Sequence, residues 1–194
     1  MTTIQIKTAT DADAHQAIAV LVLAFSPDPV LRWIYPDPYQ YLSHFPNFVR
    51  ALAGKAFEQR TAYYTDGFSG VALWLQPGIE PDEEEMVILF QHTVSEPLQE
   101  EVFGVIEQMG SYHPSEPHWF LHLIGVETRQ QSQGIGSTLM KHALIPCDRD
   151  QKLAYLECTN PENTPLYERH GFELLGTIQV GSSPPIFPML RKPR

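Results

Sequence analysis

Hydrophobic positions along this 194-residue chain change their period several times. Ile4 and Ile6 alternate with polar residues, which predicts a first strand over 3–8. Thr10 precedes Asp11 and Asp13, the pattern of an N-cap with acids in the first turn. Ile18, Leu21, Val22 and Phe25 then recur at helical spacing and predict a helix over about 11–25, stopped by Pro27 and Pro29. The stretch 26–38 reads as a proline-marked loop. Phe45, Phe48, Val49 and Leu52 give a second helix over 39–58 an inner face. Residues 61–65 and 69–76 flank Asp66-Gly67, a hairpin signal. The segment 80–112 carries two helical stripes. One is Met86, Leu89, Phe90 and Val94; the other is Val102, Val105, Ile106 and Met109, with Pro97 separating them.

The second half reads as strand, helix, strand, helix, strand. The run PHWFLHLIGV predicts a strand over 117–126. Ile135, Leu139, His142 and Ala143 predict a helix reaching about residue 145. A strand over 153–158, a short helix over 161–170 closed by Gly171, and strands over 172–180 and 186–190 follow. This order predicts an α/β or α+β fold with one central sheet, and the length fits a single domain over 1–194. There is no internal repeat and no low-complexity tract.

Composition narrows the function classes. The hydrophobic fraction is 43%, yet nothing reaches the roughly 18 apolar residues of a membrane span. The start of the chain, MTTIQIKTATDADAH, lacks the basic and apolar regions of a signal peptide. Cys147 and Cys158 form no metal spacing and no disulfide framework, so a reduced, cytoplasmic setting is the default. A net charge of −10 argues against nucleic acid as a partner and is compatible with a cationic small molecule. Eight histidines raise the question of a metal, but none is expected. His118 and His122 fall on a strand, where residues four apart stand about 13 Å from each other.

The junction at 124–140, IGVETRQQSQGIGSTLM, carries the strongest local signal. A strand ends, polar residues follow, and Gly134 and Gly136 open a helix. Free N–H groups at a helix start, together with the helix dipole, make an anion site. Glycines there let a diphosphate approach the backbone. A P-loop would need Lys after the last glycine, and here Ser137 follows. A dinucleotide fingerprint would need a third glycine where Leu139 stands. From the glycines alone, a helix start built for tight packing is an equal reading.

The register of the stretch goes further. VETRQQSQGIG resembles the acyl-CoA-binding motif Q/R-x-x-G-x-G/A of the GNAT superfamily of N-acetyltransferases, with Gln131, Gly134 and Gly136 at its three specified positions. A second element, LECTNPENTPLYERHGF, resembles the family's strand and short helix bearing an Asn and a Tyr and ending in Gly-Phe. Over about 113–194 the chain most resembles the puromycin N-acetyltransferase-like members. Thr128 replaces the proline usual after the strand, and Ser132 the glycine frequent after Gln131.

The resemblance implies a mixed, mostly antiparallel sheet flanked by helices, with a helical insertion at about 80–112. It implies acetyl-CoA as cosubstrate and a small-molecule amine as acceptor, acetylated by direct attack in a ternary complex. Pantetheine would lie against Ile124 and Val126, in a gap opened where the chain departs from regular pairing near Gly125. The turn Gln131, Ser132, Gln133, Gly134, Ile135, Gly136 and Ser137 would hold the pyrophosphate. Asn163 would bond the pantetheine arm, and Tyr167 would serve the leaving thiolate. His122, read on the same side as Phe120 and Ile124, and Glu157 are the candidate bases; each also has a structural reading as a satisfied buried group. Phe25, Asp28, Trp33, Tyr35, Tyr63 and Tyr64 are the expected acceptor wall, with the 80–112 insertion nearby and His113 and His118 at its mouth, whereas Trp74 reads as core. Many relatives are dimers, so a homodimer is among the expected partners. Two alternatives remain at this stage. One is a non-catalytic acyl-CoA-binding module, against which the Asn163–Tyr167 pair speaks. The other is an enzyme acting on protein N-termini or lysines, whose groove the 80–112 insertion would cover.

Overall fold

The computed structural model describes residues 4–194; Thr3, where the expected first strand begins, lies outside them. In chain order the strands are β1 (Ile6–Thr8), β2 (Ala62–Thr65), β3 (Gly70–Leu75), β4 (Trp119–Val126), β5 (Ala154–Cys158), β6 (Glu173–Leu174) and β7 (Phe187–Arg191). They form one sheet in the order β1-β2-β3-β4-β5-β7-β6. Every pairing is antiparallel except β4–β5. The helices are α1 (Ala14–Ala24), α2 (Pro29–Ile34), α3 (Pro38–Ala53), α4 (Lys55–Glu58), α5 (Glu83–Thr93), α6 (Glu96–Tyr112), α7 (Ile135–Arg149) and α8 (Thr164–Arg169). The fold is therefore the mixed, mostly antiparallel α/β arrangement expected.

Local chemistry sets the element ends. Thr10 donates its N–H and hydroxyl to the Asp13 carboxylate, both at 2.9 Å, and closes a short 3-10 turn before α1. Asp28 and Asp37 cap α2 and α3, each followed by a proline at the first helical position, where its missing N–H costs nothing. The loop expected over 26–38 thus contains one short helix. The helix expected over 39–58 breaks at Gly54 into α3 and α4. Pro97 does not divide the insertion; it sits in the first turn of α6, and the break falls at Val94 and Ser95. The strand expected over 172–180 shrinks to two residues plus a lone bridge from Ile178 to Ile186.

Two glycines let helices close on opposite faces of the sheet. A Cβ on Gly125 of β4 would stand 2.7 Å from the Ala24 Cβ of α1. A Cβ on Gly70 of β3 would stand 2.6 Å from Ile135 of α7. The core is accordingly split in two. Val71, Leu73, Leu75 and Leu123 pack with α1 and α3, whereas Ala72, Trp74, Trp119 and Leu121 pack with α7. Trp74 is fully buried, as core.

The pairing of β4 is irregular in two places. Leu73 pairs with Leu123 and Trp74 with Leu121, so His122 is an extra residue, a β-bulge. The bulge moves Ile124 and Val126 to the α7 face, away from Leu123. The expectation that His122 shares a face with Ile124 is therefore corrected; strict alternation fails at a bulge. Beyond Leu121↔Leu156, β4 and β5 no longer pair. The two strands part at that point, well before Gly125, where the sequence placed the departure.

Gly125→Ala should destabilise the protein by about 1–3 kcal/mol through the clash with α1. Equilibrium urea unfolding, with the midpoint lowered and the slope unchanged, is the check.

Candidate active site

Two cavities flank the parted strands. The first, of ≈ 450 Å³, lies on the α1/α3 side under α5 and α6. The second, a groove of ≈ 480 Å³, runs from the gap beside β4 to the start of α7. Phe25, Asp28, Ile124, Asn163 and Tyr167 line both, so the cavities meet at these residues.

The groove contains most of the expected cofactor-binding positions. Ile124, Gly125 and Val126 form one wall, and Asn160, Asn163 and Leu166 the other. From Leu123 onward β4 has a neighbouring strand on one side only. Its backbone polar groups on the other side face the groove, the arrangement that accepts an extended amide chain as an added strand. Gln131, Ser132, Gly134, Ile135, Gly136 and Ser137 close the far end. Gln133 does not line it; its side chain turns to the Arg129 carbonyl. The N–H groups of Ile135, Gly136 and Ser137 occupy the first turn of α7 and donate to no described acceptor. Gly134 has φ +83, a left-handed conformation that favours glycine, and a Cβ there would meet nothing within 4 Å. A Cβ on Gly136 would make only ordinary contact, 3.5 Å from Leu166. Packing within the protein does not demand the second glycine.

A basic corner supports this helix start. The Ser137 hydroxyl lies 2.9 Å from His170 Nε2. Arg191, buried, donates to the His170 carbonyl and holds Asp148 with two hydrogen bonds of 2.7 and 2.9 Å. That pairing keeps the Asp148 carboxyl below its ordinary range. Burial lowers the His170 pKa, and the positive charges of Lys141, Arg169, Arg191 and Arg194 lower it further. In a protein of net charge −10, cations thus gather behind the start of α7, and Arg169 lines the groove itself beside the carboxylates of Asp28 and Glu162.

The first cavity has the opposite character. Its walls are largely apolar, with Phe25, Trp33, Phe48, Met86, Phe90 and Met109 prominent. Four carboxylates line it, from Asp28, Glu80, Glu83 and Glu157, and no Lys or Arg does. Trp33 is fixed by its Nε1, which donates to Ser182 at 3.0 Å. Three expected wall residues are corrected. Tyr35 is fully buried, with its hydroxyl 2.8 Å from Thr93. Tyr64 stacks on Phe68 in the hairpin, with ring centroids 4.0 Å apart. Tyr63 is buried in the core on the α7 side. None reaches a cavity, because hairpin packing, the α7-side core and the α2–α5 contact consume them. The 80–112 insertion, which the sequence placed over the acceptor side without naming individual residues, supplies Met86, Phe90, Val105 and Met109 to the wall.

The titratable candidates differ sharply. Tyr167 is buried, and its hydroxyl has no described hydrogen-bond partner. Burial, then the nearby Cys158 and Asp28, drive its pKa far up, so it remains a phenol. Burial, then His113 and His118, push the His122 imidazole down to about 3. Its Nε2 is closed off from solvent and unpartnered among the described residues. Glu157 accepts from the Tyr155 hydroxyl at 3.1 Å and lies 3.5 Å from His113 Nε2. His113 lines the cavity, whereas His118 packs behind it, edge to face at 5.6 Å. Asp28 caps α2 through Val30 and Leu31 and accepts from Thr159 at 2.5 Å; desolvation raises its pKa. Among the described residues no three His, Cys, Asp or Glu gather as a metal site, and no helix is long and apolar enough to cross a membrane.

Residues 90–174 match the family model of the acetyltransferase (GNAT) domain. Over that segment the chain is similar to GNAT acetyltransferases. An uncharacterized N-acetyltransferase of Schizosaccharomyces pombe is 25% identical over 203 residues, covering 93% of this chain and 80% of that relative. Among solved structures, the histone acetyltransferase HPA2 and related acetyltransferase of Corynebacterium glutamicum superposes with a TM-score of 0.70 at 25% identity, covering 100% of this chain and 98% of the other. Arylalkylamine N-acetyltransferase 2 of Aedes aegypti gives a TM-score of 0.69 at 13% identity, covering both chains fully at 100%. The matched segment runs from the end of α5 to β6 and includes Asn163, Tyr167 and the groove's lining apart from Ala24, Phe25, Pro27 and Asp28.

Stability should fall as pH drops. A His whose folded pKa lies below its unfolded value of about 6.5 keeps its full contribution above that pH and loses it on acidification. With the folded His122 pKa at about 3, the loss runs from pH 6.5 downward. It amounts to about 2 kcal/mol by pH 5. Thermal melts between pH 5 and 8 should show this decline, and His122→Leu should flatten it.

Proposed function

We propose that the protein transfers an acetyl group from acetyl-CoA to the amine of a small cationic molecule with an apolar body. The observation that carries this reading is Tyr167, an unpartnered buried phenol at the meeting point of an anion-accepting groove and an acidic, apolar cavity. The groove fits the donor. Its half-paired strand suits the amides of pantetheine, and the first turn of α7 suits the pyrophosphate. Asn163, whose side chain makes no described hydrogen bond, is placed to bond the pantetheine arm.

The cavity fits an amine. Carboxylates without a competing cation favour an ammonium, and aromatic walls favour the hydrophobic part of its carrier. The relative from Aedes aegypti is named for arylalkylamines, which have that build. The enclosure by α5 and α6 disfavours a protein lysine or N-terminus as acceptor.

The chemistry follows from the pKa ordering. An ammonium must lose a proton before its nitrogen can attack the thioester carbonyl. His122 is a poor acceptor because its imidazole is already held neutral with a pKa of about 3. Glu157 lines the same cavity, is carried by the strand that borders the gap, and takes the role of base. Nitrogen attack expels the thiolate, which takes up the second proton of the attacking nitrogen while the Tyr167 hydroxyl hydrogen-bonds it; a phenol that does not ionise is suited to donate that bond. The transfer is direct. Cys158 lines the cavity, but burial pushes its thiol up to about 11 and the thiol donates to the Asn160 carbonyl at 3.0 Å. It is not poised to carry an acetyl group.

Thiol release from acetyl-CoA should appear with hydrophobic primary amines and not with acidic ones. CoA binding by calorimetry without turnover on any amine would instead favour a binding module. Tyr167→Phe should lower kcat by roughly ten- to a hundredfold with KM little changed, and full kcat across pH 6–9 would exclude the assigned role. Gly136→Val should retain the parent melting temperature within a few degrees. It should weaken CoA binding about tenfold or more, measured by calorimetry, because its side chain enters the groove.

A further inference from the structure

A proton taken by Glu157 has to leave a cavity that α5 and α6 cover. We propose that His113 relays it from Glu157 to solvent, an inference that rests on the acetyltransferase reading above. His113 Nε2 is 3.5 Å from Glu157 Oε1. The His113 side chain is 29% exposed and that of Glu157 only 10%, so the pair spans from interior to surface. The separation exceeds a hydrogen bond, and catalytic contacts of this kind often tighten only when substrates are bound.

The imidazole is held in place by aromatic edges. It meets Phe120 at 4.9 Å, Tyr155 at 4.8 Å and His118 at 5.6 Å between ring centroids. Its backbone N–H, at the end of α6, donates to the Gly110 carbonyl. Position in the fold therefore fixes Nε2 toward the carboxylate.

The other groups around the pair are unsuited to carry the proton. Tyr155 is fully buried and donates to the same Oε1; burial and the Glu157 charge keep it protonated. His122 is pushed down to about 3, and its Nε2 is shut off from solvent. His118 has its pKa lowered by burial, and its Nδ1 faces the Glu116 carbonyl. Glu80 lines the cavity and acts on His118 by its charge. Tyr112, the residue before His113, acts on Tyr155 in the same way. No Lys or Arg lines the cavity to repel an imidazolium.

The proton steps balance. An ammonium N–H bond breaks as an O–H bond forms on Glu157, which leaves the nitrogen lone pair free to attack. That O–H bond breaks as N–H forms at His113 Nε2. The imidazolium releases its Nδ1 proton to water, and the tautomer resets in solvent between turnovers.

Two variants separate relay from packing. His113→Phe keeps a ring against Phe120 and Tyr155 but carries no proton; His113→Gln keeps polarity and carries none either. Both should lose about tenfold or more in kcat, with KM for amine and acetyl-CoA within about threefold. Imidazole in the buffer should restore kcat to His113→Gln and not to Glu157→Gln. Full kcat in His113→Phe, a loss confined to KM, or no response to imidazole would overturn the relay. Should a variant melt far below the parent, the solvent isotope effect of the unaltered enzyme decides. More than one proton in flight supports the relay, and a single one overturns it. Unaltered enzyme that binds CoA yet acetylates no amine overturns the parent reading and the relay with it. Turnover by the unaltered enzyme together with an unimpaired His113→Phe variant overturns the relay alone.

Discussion

A central strand that loses its partner halfway sets the terms for the rest of the molecule. β4 pairs with β5 through Trp119, Phe120 and Leu121, then continues with β3 alone. Interior backbone groups without partners are costly, so such a gap persists only when something polar can enter it. The surrounding structure holds the gap open. Gly125 admits α1 on one face, Gly70 admits α7 on the other, and the crossover through α7 returns the chain parallel to β4. The start of α7 therefore falls at one end of the gap. Asn163 and Tyr167, on the connection after β5, fall along its side.

Charge is distributed to match. Arg169 lines the groove, with Lys141, Arg191 and Arg194 acting on His170 behind it, whereas the cavity beneath α5 and α6 is lined by four carboxylates and no Lys or Arg. The two meet at Phe25, Asp28, Ile124, Asn163 and Tyr167. Desolvation does the remaining sorting. It keeps Tyr167 protonated and His122 neutral, and it leaves Cys158 a thiol. The same burial that builds the core decides which of these side chains stay uncharged.

The extent to which this was legible in the sequence follows the range of the interactions involved. The helix start beside β4 was readable because it is made by residues close in sequence, and its left-handed residue shows as Gly134; Gln131 and Gly136 were singled out only by the resemblance. The strands and most helices were readable for the same reason. Tyr35 and Tyr64 were misplaced because an aromatic side chain has the same pattern whether it lines a cavity or fills a contact. Only the Thr93 hydroxyl and the Phe68 ring, brought in by other elements, show that these two are consumed. The wall from α5 and α6 was visible as apolar stripes over the acceptor side, but which residues reach the cavity was not.

The sequence by itself determined the element types and the order of strand and helix, because these depend on period, capping and backbone conformation, which are local; the anion-accepting turn and the role of Tyr167 it offered only through the resemblance. The tertiary structure alone decided that His122 is a bulge, that the strands part at Leu121 and Leu156, and that Glu157 stands beside His113 rather than alone. Register and desolvation depend on what neighbouring strands and helices bring, and residues far apart in the chain supply them.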